Sequence, residues 1–150
     1  MPITTNNYSI TPLQARHQSA LIQLAHSQQV YPASANDHLT LTALDFQAQL
    51  IGYIVWQFAS DEASLLGIAV SPNYQRQGIA QNLYHHSQPY LQTHHITTSF
   101  LEVRQSNIPA QQLYQKLGYQ RIAKRHHYYP PTPSNQHRET AFIYRKTHRL

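Results

Sequence analysis

The chain has no cysteine among its 150 residues. That excludes disulfides, thiolate metal ligands and a cysteine nucleophile, and it fits a reducing compartment. Acidic residues are scarce: Asp37, Asp45, Asp61, Glu62, Glu102 and Glu139 are all there are, against 11 Lys and Arg. So few carboxylates argue against a polycationic small substrate, which needs an acidic cleft. No apolar run approaches the roughly 18 residues of a membrane span. Met1 to Asn6 also lack the basic and apolar stretches of a signal peptide. A soluble cytoplasmic protein with no membrane partner is the expectation. Repeats, low-complexity tracts and Gly/Ser linkers are missing as well, so residues 1–150 read as a single domain.

What is present is a core and an uneven charge. Hydrophobic residues make up 41% of the chain, enough for a folded interior. Net charge is +5, and only Arg16 and Arg76 among the cations precede Val103. Such a basic surface suits an anionic ligand, either coenzyme phosphates or a nucleic-acid-rich neighbour such as a ribosome; it equally suits solubility alone.

The hydropathy pattern predicts a mixed α/β domain. Tyr8-Ser9-Ile10 alternates like a short strand. Thr11 and Pro12, a cap residue followed by proline, then open a helix whose Leu13, His17, Ala20, Leu21, Leu24 and Ala25 recur at helical spacing to Gln28. Val30 to Asp37 reads as a loop. Strands follow at Leu39 to Asp45, Leu50 to Gln57 and Ala63 to Val70, the first two a hairpin through Phe46 to Gln49. Tyr53 and Trp56 read as strand core residues. After a turn at Ser71 to Tyr74, a helix runs from Gln77 to Gln92 with Ile79, Leu83, Tyr84 and Tyr90 on its apolar side. Ile96 to Val103 is a strand, Asn107 to Leu117 a helix ended by Gly118. Tyr119 to Tyr128 and Glu139 to Lys146 are the last strands, joined through Pro130 to Pro133.

One junction has the chemistry of a phosphate site. Gln75-Arg76-Gln77-Gly78-Ile79-Ala80 leaves a strand, crosses a turn and opens a helix. The first N–H groups of a helix have no intrahelical partner, and the positive dipole end favours an anion. Gly78 puts no side chain between backbone and ligand, Ala80 is small, and Arg76 adds charge. A glycine near a helix start with no ligand fits the same pattern.

The whole segment from Leu66 to Ala80 resembles the acetyl-CoA-binding signature [QR]-x-x-G-x-[GA] of the GNAT acetyltransferases. Phe100-Leu101-Glu102-Val103-Arg104-Gln105-Ser106-Asn107-Ile108-Pro109-Ala110, leading to Leu113-Tyr114-Gln115-Lys116-Leu117-Gly118-Tyr119, is similar to the second signature of the RimI type within that superfamily. These are N-terminal acetyltransferases of a ribosomal small-subunit protein. Arg125 to Pro130 and Arg138-Glu139-Thr140-Ala141 share that likeness, which runs from about Asp61 to Tyr144.

The resemblance implies a GNAT fold, a mostly antiparallel sheet flanked by helices, with parallel central strands that splay around the pantetheine arm. It implies acetyl-CoA as co-substrate. Backbone groups of Ile68, Ala69 and Val70 would line the arm, with Val70 N–H the expected donor to the thioester carbonyl. Arg76, Gln77, Gly78, Ile79, Ala80 and Gln81 would hold the pyrophosphate. Asn107 would hydrogen-bond the coenzyme, cap a helix, or both. Glu102 takes the place of the general base, its pKa expected to rise by partial burial beside apolar strand residues. Tyr114 takes the place of the general acid beside the sulfur. Tyr128 and Tyr129 would line the acceptor groove, or simply pack.

The acceptor expected from the resemblance is a protein N-terminal amine, a ribosomal protein's included. The RimI type carries aromatic-Pro-Trp-Ser after the first helix; here it reads Tyr31-Pro32-Ala33-Ser34. A small-molecule amine or a lysine side chain therefore stays open as acceptor. So does a non-catalytic module binding nucleic acid or a ribosome through the basic C-terminal third, although direct nucleic-acid binding is not the expectation. Of the 11 histidines, six come as adjacent pairs (His85-His86, His94-His95, His126-His127) that point to different faces, and no metal is expected.

Overall fold

A computed structural model describes residues 7–33, 37–133 and 136–148. Met1 to Asn6, and Ser34 of the Tyr31-Pro32-Ala33-Ser34 run, lie outside the described residues. The chain runs β1 (Tyr8–Pro12), α1 (Gln18–Gln28), β2 (Leu39–Asp45), β3 (Leu50–Ala59), β4 (Glu62–Val70), α2 (Ile79–Thr93), β5 (Thr98–Arg104), α3 (Ile108–Lys116), β6 (Gln120–Tyr129) and β7 (Glu139–Thr147). The strands form one seven-stranded sheet in the order β1-β2-β3-β4-β5-β7-β6. Every neighbouring pair is antiparallel except β4 and β5.

Both sheet faces are covered, and β3 shows why its sequence is an unbroken apolar run: Ile51 to Trp56 are all buried. Tyr53 and Val55 pack with Leu21, Leu24 and Ala25 of α1 on one face. Ile54 and Trp56 pack on the other with Ile79, Leu83 and Tyr84 of α2 and Tyr114 of α3. An 11-residue helix as polar as α1 would not hold in isolation. Full burial of Leu21, at 0% exposure, contributes about 1.5–3 kcal/mol toward docking it.

Two expectations need correction. Thr11 and Pro12 do not open the first helix; they finish β1, pairing with Thr42 and Leu41. Pro12 sits on an edge strand, where a missing N–H leaves no ladder bond unmade. Thr42 Oγ1 donates to Thr11 O at 2.9 Å and Leu13 N–H to Thr40 O at 3.0 Å. A 3-10 turn at Ala15–His17 precedes α1. Likewise Tyr90 is 39% exposed, and Leu91, 2% exposed, takes its place inside. The buried stripe of α2 is Ile79, Leu83, Tyr84, Ser87 and Leu91, a face that Tyr90 has rotated past.

The feature that makes a site is a pairing that stops early. β4 and β5 pair from Glu62↔Thr98 to Leu65↔Leu101. Beyond that rung β4 continues to Val70 and β5 to Arg104 without pairing to each other.

Candidate active site

The parted strands open a cleft of about 1380 Å³. Its walls come from β4, the β4–α2 turn, β5, α3, β6 and the segment after α1. All the expected site residues line it except Gln77, whose side chain turns back to Asn73 O at 3.4 Å.

On β4 the backbone itself is available. Ser71 N–H donates to Ile51 O at 2.8 Å, so Ser71 faces β3. Alternation along a strand then turns the polar backbone groups of Val70 and Ile68 away from β3, into the gap. Val70 O accepts from Gln75 Nε2 at 3.0 Å on that side. At the α2 end, Arg76 and Gly78 have φ of +62° and +81°, and no side chain caps the helix. A Cβ on Gly78 would meet nothing within 4 Å, so solvent-side space lies directly over those amides. Ile79 is 2% exposed; its side chain belongs to the core and only its N–H can reach a ligand. Uncapped amides, open space and Arg76 together fit a pyrophosphate.

Asn107 caps α3, Oδ1 accepting from Ala110 N–H at 3.2 Å, while also lining the cleft. Tyr114, 7% exposed, packs edge-on against Tyr119 and tilted against Tyr144. Burial, with Tyr119 and Tyr129 nearby, pushes its phenol above the ordinary value of 10, so it stays protonated at neutral pH, as an ordinary phenol is. Glu102 is only partly buried, and what stands beside its carboxylate is a cation. Its side chain is 32% exposed and Oε1 lies 3.7 Å from Nη1 of Arg125. The cause is β6, which pairs with β7 and brings Arg125 across the groove from β5. Tyr128 stands beside the same carboxylate, which pushes its phenol up.

The model of the Acetyltransferase (GNAT) family matches residues 7–119. The chain belongs to the GNAT acetyltransferase family. It is an N-acetyltransferase that uses acetyl-CoA. Its GNAT relatives include the [ribosomal protein bS18]-alanine N-acetyltransferase of Escherichia coli strain K12, 34% identical over 117 residues, 78% of this chain and 77% of that one. The enzyme of the same description from Haemophilus ducreyi is 41% identical over 97 residues, covering 65% and 66%. The crystal structure of the ribosomal-protein-S18-alanine N-acetyltransferase from Escherichia coli superposes with a TM-score of 0.79 at 30% identity, over 93% of each chain. A GNAT acetyltransferase from Elizabethkingia anophelis with acetyl-CoA bound shares the fold, with a TM-score of 0.76 at 18% identity over 95% of this chain and 99% of that one.

Two features of this GNAT cleft escape a reading of the sequence. Lys116 and Tyr31 line it; both stand inside motifs quoted above, but neither was given a role there. Tyr31 is seated because Gly67 lets the segment after α1 cross β4: a Cβ there would lie 2.7 Å from Val30 Cγ1 and 3.1 Å from Tyr31 O. Arg104 and Glu139 form an ion pair at 3.6 Å, with the guanidinium 4.3 Å over the ring of Tyr129. That contact depends on the β5–β7 register, Arg104↔Ala141, which no local pattern encodes. Among the described residues no three of His, Cys, Asp or Glu gather to hold a metal, and no helix is long and apolar enough to cross a membrane.

Proposed function

We propose that the chain acetylates the N-terminal α-amine of a protein, using Glu102 as general base and Tyr114 as general acid. The observation that carries this reading is the convergence of both residues on the gap where β4 and β5 part. Bound acetyl-CoA supplies a thioester, whose carbonyl carbon is the point of attack. Amides of Arg76, Gly78, Ile79, Ala80 and Gln81 hold the pyrophosphate, and Val70 N–H donates to the carbonyl oxygen as it gains charge. An α-amine has a pKa near 8, so part of it is neutral at pH 7 and Glu102 need take only the proton released on attack. Tyr114, a phenol protonated at neutral pH and kept so by its burial, donates to the departing sulfur. Relatives described as acting on the alanine of bS18 support a protein N-terminus, a ribosomal protein among the candidates.

One observation favours a second acceptor class. Ala33 is 1% exposed and packs with Leu21 and Tyr53, so this position offers the groove no aromatic side chain. A lysine side chain or a small amine would then fit a groove shaped differently from the RimI type.

Mass spectrometry of three acceptors decides between them: an alanine-initiated hexapeptide, the same peptide N-terminally blocked and carrying lysine, and spermidine. The free α-amine is expected to be acetylated fastest. Preference for either other acceptor selects the second reading. Tyr114→Phe is expected to lower kcat by roughly 10²-fold, with acetyl-CoA affinity within about twofold. Unchanged turnover removes Tyr114 from the mechanism.

A further inference from the structure

Two adjacent residues at the start of β7, neither of them part of the chemistry above, hold opposite walls of the cleft. Glu139 reaches back to the turn that opens α3. Its Oε2 accepts the Ser106 N–H at 2.5 Å, and its Oε1 pairs with Arg104. The side chain is only 12% exposed. Burial pushes its carboxyl up, but the Ser106 hydrogen bond and the Arg104 guanidinium outweigh that and hold it below the ordinary value. Arg104 in turn lies under Tyr129. One carboxylate thus ties the Ser106–Asn107 turn, on the coenzyme side, to an aromatic on the acceptor side.

Arg138 reaches the other way. Its Nε donates to His127 O at 3.0 Å and its Nη2 to Tyr128 O at 3.1 Å. The backbone it grips is irregular. His127 has φ +55°, a left-handed conformation that strains any residue with a Cβ, and the β6–β7 register slips between Arg125 and Tyr129. This bulge sets the direction of Tyr128 and Tyr129, which line the cleft. A planar guanidinium spans two successive carbonyls; a single ammonium does not.

We propose that Arg138 and Glu139 are positioning residues with separable duties: Arg138 fixes the acceptor wall alone, and Glu139 couples that wall to the coenzyme-side turn. The proposal rests on the reading of the cleft as the site of acetyl transfer to a peptide amine. A salt bridge that served stability only would shift melting temperature without separating the two ligands.

The test measures acetyl-CoA affinity by calorimetry, kcat and KM for the alanine-initiated hexapeptide, and melting temperature, on full-length protein. Arg138→Ala is expected to raise peptide KM roughly tenfold, with acetyl-CoA affinity and kcat within about twofold. Arg138→Lys is expected not to restore it. Glu139→Ala should weaken both ligands. Glu139→Gln keeps an acceptor for Ser106 but loses the negative charge that pairs with Arg104, so it should recover acetyl-CoA binding and leave the peptide KM raised. Unchanged peptide KM in Arg138→Ala, or equal losses for both ligands in Arg138→Ala and Glu139→Gln, overturns the proposal. If Arg138→Ala fails to fold, Arg138→Lys and Glu139→Gln carry the comparison. If the wild type binds acetyl-CoA but leaves the peptide unmodified, the N-terminal reading fails. In that event the duty of Arg138 toward a peptide falls with it, and acetyl-CoA affinity decides the duty of Glu139: weakened in Glu139→Ala but kept in Glu139→Gln upholds it, any other pattern overturns it.

Discussion

At φ +81° with 4 Å of empty space where a side chain would begin, Gly78 serves both conformation and approach. Gly67, a strand and a turn earlier, is small for a different reason, since a Cβ there would strike the segment that carries Tyr31. The sequence shows two glycines in one motif and does not separate these causes; only the crossing of β4 by that segment does. Gly78→Ala should therefore cost about 1 kcal/mol of stability, the strain of a left-handed residue with a Cβ. It should also weaken acetyl-CoA roughly tenfold, because the new methyl stands between amides and phosphate. Thermal melts with and without the coenzyme check both. A variant that binds acetyl-CoA as tightly as the wild type would move the phosphate elsewhere.

Among the elements, those with strong local signals were legible. The hairpin of β2 and β3 forms where expected, its turn held by Asp45, which accepts from Gln47 and Gln49 N–H at 2.9 Å each. The start of α1 was not legible, because Thr11-Pro12 serves equally as a helix opening and as the end of an edge strand. Only pairing with β2 decides. α3 lies between these cases: Asn107 caps it, and the same side chain lines the cleft. Asn107→Ala should destabilise by about 1 kcal/mol, while Asn107→Ser, which keeps a cap oxygen, should stay within about 0.5 kcal/mol of wild type. Acetyl-CoA affinity is expected to fall in both, since neither retains the amide. Wild-type affinity in Asn107→Ser would make Asn107 a cap and nothing else.

Across the whole molecule, the charge asymmetry takes on a spatial meaning. Among the described residues the two side-chain carboxylates from Glu102 onward are each drawn to an arginine, Glu102 to Arg125 and Glu139 to Arg104. Both pairs flank the cleft. The motifs marked where Glu102 and Tyr114 stand in the chain, and their sequence context was enough to nominate them. The arginines facing the groove were hidden because they arrive on β6 and through the β5–β7 register. Central to the account is that the unpaired ends of β4 and β5, with the start of α2, receive the coenzyme. Amide chemical shifts of the full chain, followed by NMR while acetyl-CoA is added, test this directly. Saturable shifts at Ile68, Val70, Arg76 through Gln81 and Asn107 are predicted, with the exposed hairpin tip at Phe46 unmoved. Saturable shifts centred elsewhere, with those amides unperturbed, would contradict it.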